Sequence, residues 1–138
     1  MHELAISSRR MKAVRREHTS PELVVRKLLH SLGLRFRLHK RSLPGSPDIV
    51  LRKHHAVIFV HGCFWHRHPG CRYASMPKTR REYWEPKFLA NVERDARKAS
   101  ELEALGWRVL LVWECETRDL AALEERLRRD FSLSSSTL

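Results

Sequence analysis

The chain of 138 residues reads as an α/β protein, a layer sandwich around a small mixed sheet. Three observations carry this reading. Two short runs rich in β-branched residues, Ile49-Val50-Leu51 and Ala56-Val57-Ile58-Phe59-Val60, are separated by a basic turn through Lys53-His54-His55. Segments of helical period lie on both sides of this hairpin. The length suits one domain with one moderate core.

The elements follow in order. Thr19-Ser20-Pro21-Glu22 is a helix start, with a hydroxyl cap, a proline in the first turn and a carboxylate near the positive helix end. Val25, Leu28, Leu29 and Leu32 then share one face, and Gly33 closes the helix. Strands are predicted at 35–38, 48–52 and 56–60. After the irregular Met76-Pro77-Lys78, a long helix is predicted from 86 to 105 with Phe88, Val92, Ala96, Ala99 and Leu102 inward and Gly106 as its stop. A strand at 107–113 and a charged helix at 119–130, with Leu120, Leu123 and Leu127 on its apolar face, complete the set. The predicted organisation is a basic arm (1–18), a folded body (19–131) and a frayed, disordered tail (132–138), without internal repeats.

Charge indicates the partner. Lys and Arg number 27 against 16 Asp and Glu, a net charge of +11. Residues 1–55 hold 13 basic and 4 acidic side chains, so most of the excess lies there. A polyanion is the expected partner, and Arg9, Arg10, Lys12 and Arg15 on the arm are candidate phosphate or minor-groove contacts. No amphipathic apolar face accompanies the arginines, which disfavours a membrane surface. No signal-peptide pattern opens the chain and no run approaches the roughly 18 apolar residues of a spanning helix, so a cytosolic, reduced protein is expected.

The run His61-Gly62-Cys63-Phe64-Trp65-His66-Arg67-His68-Pro69-Gly70-Cys71 holds three His and two Cys around adjacent aromatics. Cys63, His68 and Cys71 can fold round one ion, and Zn2+ prefers four such ligands. Cys115, the remaining cysteine, reaches the loop only if the 107–113 strand lies beside the 56–60 strand. A Cys3His structural zinc is therefore predicted, with His66 in place of His68 as the alternative ligand. The reduced compartment disfavours a disulfide.

Asp48 stands at the mouth of the predicted hairpin, after Pro47 and before an apolar strand. Taken alone it reads as a turn-capping aspartate. The paired strand, however, would deliver His61 and His66 beside it. A carboxylate holding Mg2+ and an imidazole handling a water proton suit phosphodiester hydrolysis, which makes a metal-dependent nuclease the chemical expectation.

Leu43-Pro44-Gly45-Ser46-Pro47-Asp48, Val60-His61-Gly62-Cys63-Phe64-Trp65-His66, Tyr83-Trp84, Asn91-Val92-Glu93-Arg94-Asp95, Gly106-Trp107 through Trp113-Glu114-Cys115, and the stretch from Met11 to Glu22 resemble the very-short-patch repair endonucleases, the Vsr-type mismatch nickases. The motifs occur in family order across residues 9–118. The resemblance implies a restriction-endonuclease-like α/β/α sandwich with a small central mixed sheet and a structural zinc site. It also implies a bacterial-type, nucleoid-associated monomer that uses Mg2+ to nick duplex DNA on the 5′ side of the thymine in a T:G mismatch, with mismatch-repair proteins as further partners and no membrane.

Carried over residue by residue, the resemblance makes Asp48 the magnesium ligand together with the backbone carbonyl of Val60. His66 would act on the attacking water, His61 would be a second active-site imidazole, and Glu22 would support the site. Cys63, His68, Cys71 and Cys115 match the zinc ligands, and Phe64, Trp65 and Trp84 match aromatics that wedge into DNA. A T:G wobble stacks poorly and so opens at lower cost than a matched pair. Two departures stand out: Val60 replaces a common threonine, and Pro69-Gly70 make the zinc loop one residue longer than in some relatives. Two other classes fit the bare residues, a restriction or homing-type endonuclease and a non-catalytic zinc-stabilised DNA-binding module. His2, His18, His30, His39, His54 and His55 are read as surface or helix residues without a role. Asn91, Arg94 and Asp95 match a family motif and receive no assignment.

Overall fold

The computed structural model describes residues 19–133. The basic arm with Arg9, Arg10, Lys12 and Arg15, and the tail from 134, lie outside the described residues. The order is α1 (Ser20–Ser31), β1 (Arg37–Leu38), β2 (Ile49–Leu51), β3 (Ala56–His61), α2 (Arg81–Ala104), β4 (Arg108–Trp113) and α3 (Leu120–Asp130), with single-turn helices between some of them.

The strands form one mixed sheet in the order β1-β2-β3-β4. β1 and β2 pair antiparallel, as do β2 and β3. β4 runs parallel to β3, from Ala56 opposite Arg108 to His61 opposite Trp113. A parallel pair needs a crossover, and α2 supplies it. The strand contact on which Cys115 depends is therefore present.

Period-two alternation divides the strands between two cores. Ile49, Leu51, Ala56, Ile58 and Val112 face α1 and α3, where they meet Val25, Leu29, Leu123, Leu127 and Phe131. Val50, Val57 and Phe59 face the other way and pack with Leu102 of α2. Leu133 also packs against the first core, so ordered structure extends into the segment expected to fray.

The helix ends follow from local chemistry. The Thr19 hydroxyl accepts the Glu22 amide at 3.3 Å, the expected N-cap of α1. Gly33 (φ +77°) ends the helix, where the Leu34 amide bonds back to the Leu29 carbonyl and both side chains join the core. Gly106 (φ +93°) closes α2 in the same way.

Four expectations change. β1 is limited to Arg37–Leu38 and both residues are exposed. α2 begins at Arg81 with Pro86 inside it, because the proline ring suits a helical φ and the one forfeited bond lies on an exposed turn. Phe88 and Leu102 are buried as expected, but Val92 and Ala96 line an open cavity of about 250 Å³ instead of packed core. Leu120, in the first turn of α3, is likewise exposed.

Leu127 is fully buried and Leu89 is 60 % exposed. In urea unfolding, Leu127→Ala is expected to cost about 2–5 kcal/mol and Leu89→Ala to stay within about 0.5 kcal/mol.

Candidate functional site

The end of β1, the start of β2 and the ends of β3 and β4 lie on one edge of the sheet, as their pairing directions require. Glu22 from α1, His39 just after β1 and Asp48 just before β2 meet there, with ligand atoms within 4.8 Å of one another. Glu22 is buried, and its Oε2 is hydrogen-bonded to His39 Nε2 at 2.8 Å and paired with Arg26. His39, read from sequence as a residue without a role, is thus part of the carboxylate cluster. Its position alone gives it away: the β1–β2 pairing brings the amide of His39 onto the carbonyl of Asp48 at 3.0 Å.

Asp48 accepts the backbone N–H of Val60 at 2.8 Å. Burial pushes its carboxyl up to about 6, the Val60 amide holds it down, and the neighbouring Glu22 raises it. The preceding turn is held from α2: a Cβ at Gly45 would come within 2.7 Å of the Lys98 side chain, which lies over that glycine.

His61 and His66 form a second cluster with Asp95 of α2. The imidazoles stack at 3.9 Å with 9° between planes. His66 Nδ1 lies 2.6 Å from Asp95 Oδ2. Burial pushes the Asp95 carboxyl up, but the hydrogen bond and charge of His66 outweigh it and leave the group below its ordinary value. An ionised carboxylate can only accept, so the proton of this hydrogen bond lies on Nδ1 of His66. Burial, reinforced by His66, lowers His61 to about 4, and its Nδ1 has no hydrogen-bond partner among the described residues. The predicted catalytic set therefore falls into two clusters on either side of the end of β3. They interact electrostatically, since His66 lowers Asp48.

The ligand atoms of Cys63, His68, Cys71 and Cys115 also lie within 4.8 Å of one another, a set that could hold a metal ion. His68 Nδ1 is 3.7 Å from Cys63 Sγ and 3.4 Å from Cys115 Sγ. This set contains His68, while His66 belongs to the imidazole pair. Burial pushes the Cys63 thiol up to about 12 and raises that of Cys115, while at Cys71 hydrogen bonds from the backbone of Tyr73 and from the other thiols outweigh burial and lower it. Trp113 joins the two sites, stacked on His68 at 4.3 Å and edge-on to His61 at 5.4 Å.

Phe64, Trp65 and Trp84 are half-buried and pack on one another over the buried Phe88, with ring centroids 5.2–6.0 Å apart. Arg67 covers Phe88 at 4.0 Å, and Asn91 donates to the Trp65 carbonyl at 3.1 Å. Asn91 and Asp95, unassigned from sequence, thus hold the loop and His66. Their legible signal is two polar residues on the helical stripe of Phe88 and Leu102.

Carboxylates and imidazoles at a sheet end, beside an aromatic stack on a strongly basic chain, are the groups that metal-assisted phosphodiester hydrolysis uses, the chemistry of a nuclease. The model of the family described as DNA mismatch endonuclease Vsr matches residues 1–72. The chain is 58% identical over 118 residues to the type II nicking enzyme V.XorIIP of Xanthomonas oryzae pv. oryzae, covering 86% of each. It is 46% identical over 132 residues to the DNA mismatch endonuclease Vsr of Escherichia coli, covering 92% of this chain and 84% of that one. A third relative, the type II nicking enzyme V.NmeAIP of Neisseria meningitidis, is 42% identical over 119 residues, covering 86% and 84%. The chain belongs to the Vsr family and is a DNA endonuclease.

Asn91→Ala is expected to lower stability in urea unfolding by about 1 kcal/mol, the worth of one hydrogen bond, because it releases the Trp65 carbonyl.

Proposed function

We propose that this endonuclease nicks duplex DNA on the 5′ side of the thymine in a T:G mismatch, using Mg2+ at Asp48 on a restriction-endonuclease-like fold stabilised by zinc. The observation that carries the reading is the placement of Glu22, His39 and Asp48 on one side of the end of β3 and of His61, His66 and Asp95 on the other. The relatives, a mismatch endonuclease and nicking enzymes, support single-strand cleavage at mismatches.

Asp48 and the carbonyl of Val60 would hold the magnesium. In a paired strand one residue's N–H and C=O face the same neighbour, and the Val60 N–H already points at Asp48. Valine in place of threonine leaves that carbonyl intact. When bound, the ion would neutralise charge developing on the phosphate. Glu22 supports the site from α1, held in turn by Arg26 and His39. His66, oriented by Asp95, takes the proton of the attacking water through Nε2. His61 presents a buried ring nitrogen that substrate or solvent would satisfy, as a polar atom facing the reacting group should. Phe64, Trp65 and Trp84 form a preassembled platform against which poorly stacked bases can open.

The chemistry of the thiol cluster favours zinc. Bond lengths of about 2.3 Å to sulfur and 2.0 Å to nitrogen in a tetrahedron give sulfur–nitrogen edges of roughly 3.5 Å. The 3.7 and 3.4 Å separations to His68 fall on either side of it. The extra residue of Pro69-Gly70 leaves all four donors together. T:G recognition, repair-protein partners, a monomeric state and phosphate contact by the arm belong to the same proposal.

A strand-resolved assay with Mg2+ is expected to show product on the thymine strand of a T:G duplex and none on matched T:A or C:G duplexes. Cleavage of both strands of matched DNA would instead identify a restriction-type enzyme. Asp48→Ala should yield no product over the same time course, and His66→Ala should slow single-turnover nicking about 10²–10⁴-fold. If Asp48→Ala nicks at the wild-type rate, the catalytic assignment is wrong.

Elemental analysis of the purified chain is expected to find about one zinc per chain. Cys115→Ser should lose most of it and melt at a lower temperature.

A further inference from the structure

A groove of about 700 Å³ lies along the outer edge of β1, with His39 of the carboxylate cluster among its lining residues and none from the imidazole or thiol clusters. Arg37, Lys40, Arg41 and Arg52 line it, and no carboxylate is among its lining residues. Arg37, Arg41 and Arg52 are exposed and Lys40 is half-buried. Proteins normally intersperse charges of both signs, so a concave wall of one sign attracts a counter-charge and concentrates it.

The groove is connected to the reaction centre. His39 lines its inner end and reaches Glu22 at 2.8 Å, in the cluster that contains Asp48. Arg52, just beyond β2, marks the far end, because the register puts Arg37 opposite Val50. Arg37–Leu38 is extended, at about 3.3 Å per residue, before the left-handed turn at His39 (φ +45°), and Arg52 lies two residues beyond Val50, the partner of Arg37, which spreads the cations along the groove. Successive phosphates on one DNA strand advance about 3.4 Å along the axis, which lets such an edge meet two or three of them.

We infer that this groove is a track for the sugar-phosphate backbone of the substrate duplex, leading from the cut site along the β1 edge through Arg37, Lys40 and Arg52. The inference deepens the proposed function and rests on the reaction being placed at Asp48. These contacts are made to phosphates alone, so they add affinity without reading sequence or mismatch.

Binding of the full chain to labelled T:G and matched duplexes, measured by fluorescence anisotropy without divalent ions across roughly 50–200 mM NaCl, tests it. The triple variant R37A/K40A/R52A is expected to show a slope of log affinity against log salt shallower than wild type by about 2 to 3, at about 0.9 per lost contact. The shift should be the same on both duplexes. The charge-preserving R37K/K40R/R52K should keep the wild-type slope, which separates lost charge from disturbed folding. An unchanged slope in the alanine variant, or a change confined to the T:G duplex, would overturn the groove assignment. A wild-type chain without T:G preference would sink the mismatch reading instead and leave the slope comparison intact.

Discussion

The parallel pairing of β3 with β4 is the constraint on which the rest of the molecule depends. Its register puts His61 opposite Trp113, and the chain that leaves each strand carries Cys63 on one side and Cys115 on the other. A thiol and imidazole set able to hold a metal ion, drawn from cysteines 52 positions apart, comes together only because two strands end together. The same pairing sets Trp113 between His61 and His68, so the ring that orients the thiol site also packs against the imidazole pair. A slip of one residue would turn every side chain of β4 to the opposite core and separate both sites.

The end of β3 divides the chemistry as the strand divides the core. The Val60 side chain packs toward α1 and α3 while its amide engages Asp48. His61, one residue on, faces α2 and His66. Buried polar groups are costly unless satisfied, and here each carboxylate has partners supplied by another element: Arg26 and His39 for Glu22, Val60 for Asp48, His66 for Asp95. The two apolar cores on either face of the short sheet offset that cost and keep the site rigid.

The hairpin, the capped first helix and the thiol set were legible because each rests on local pattern: alternation, a Thr-Ser-Pro-Glu start, and ligand spacing within one loop. His39 was not, because nothing beside it in sequence marks it. Its role arises from a two-residue edge strand that positions it across from Asp48 and Glu22. The start of α2 was missed for a different reason. Proline is disfavoured inside helices, yet Pro86 lies where only one bond is forfeited on a solvent-facing turn.

The inward stripe of α2 gives the most instructive difference. An apolar reading selects Phe88, Val92, Ala96, Ala99 and Leu102, but the residues with structural work are Trp84, Phe88, Asn91, Asp95, Lys98 and Leu102, spaced alternately four and three apart. That spacing keeps them on one face of the helix. In succession they stack in the aromatic platform, hold the Trp65 carbonyl, orient His66, cover the Gly45 turn and enter the core. From Trp84 to Asp95 the helix advances roughly 16 Å, the length over which it holds the aromatic loop. The loop that carries Phe64, Trp65 and His66 is therefore fixed along one stiff element, by ring contacts to Trp84 and Phe88, the Asn91 amide and the Asp95 carboxylate.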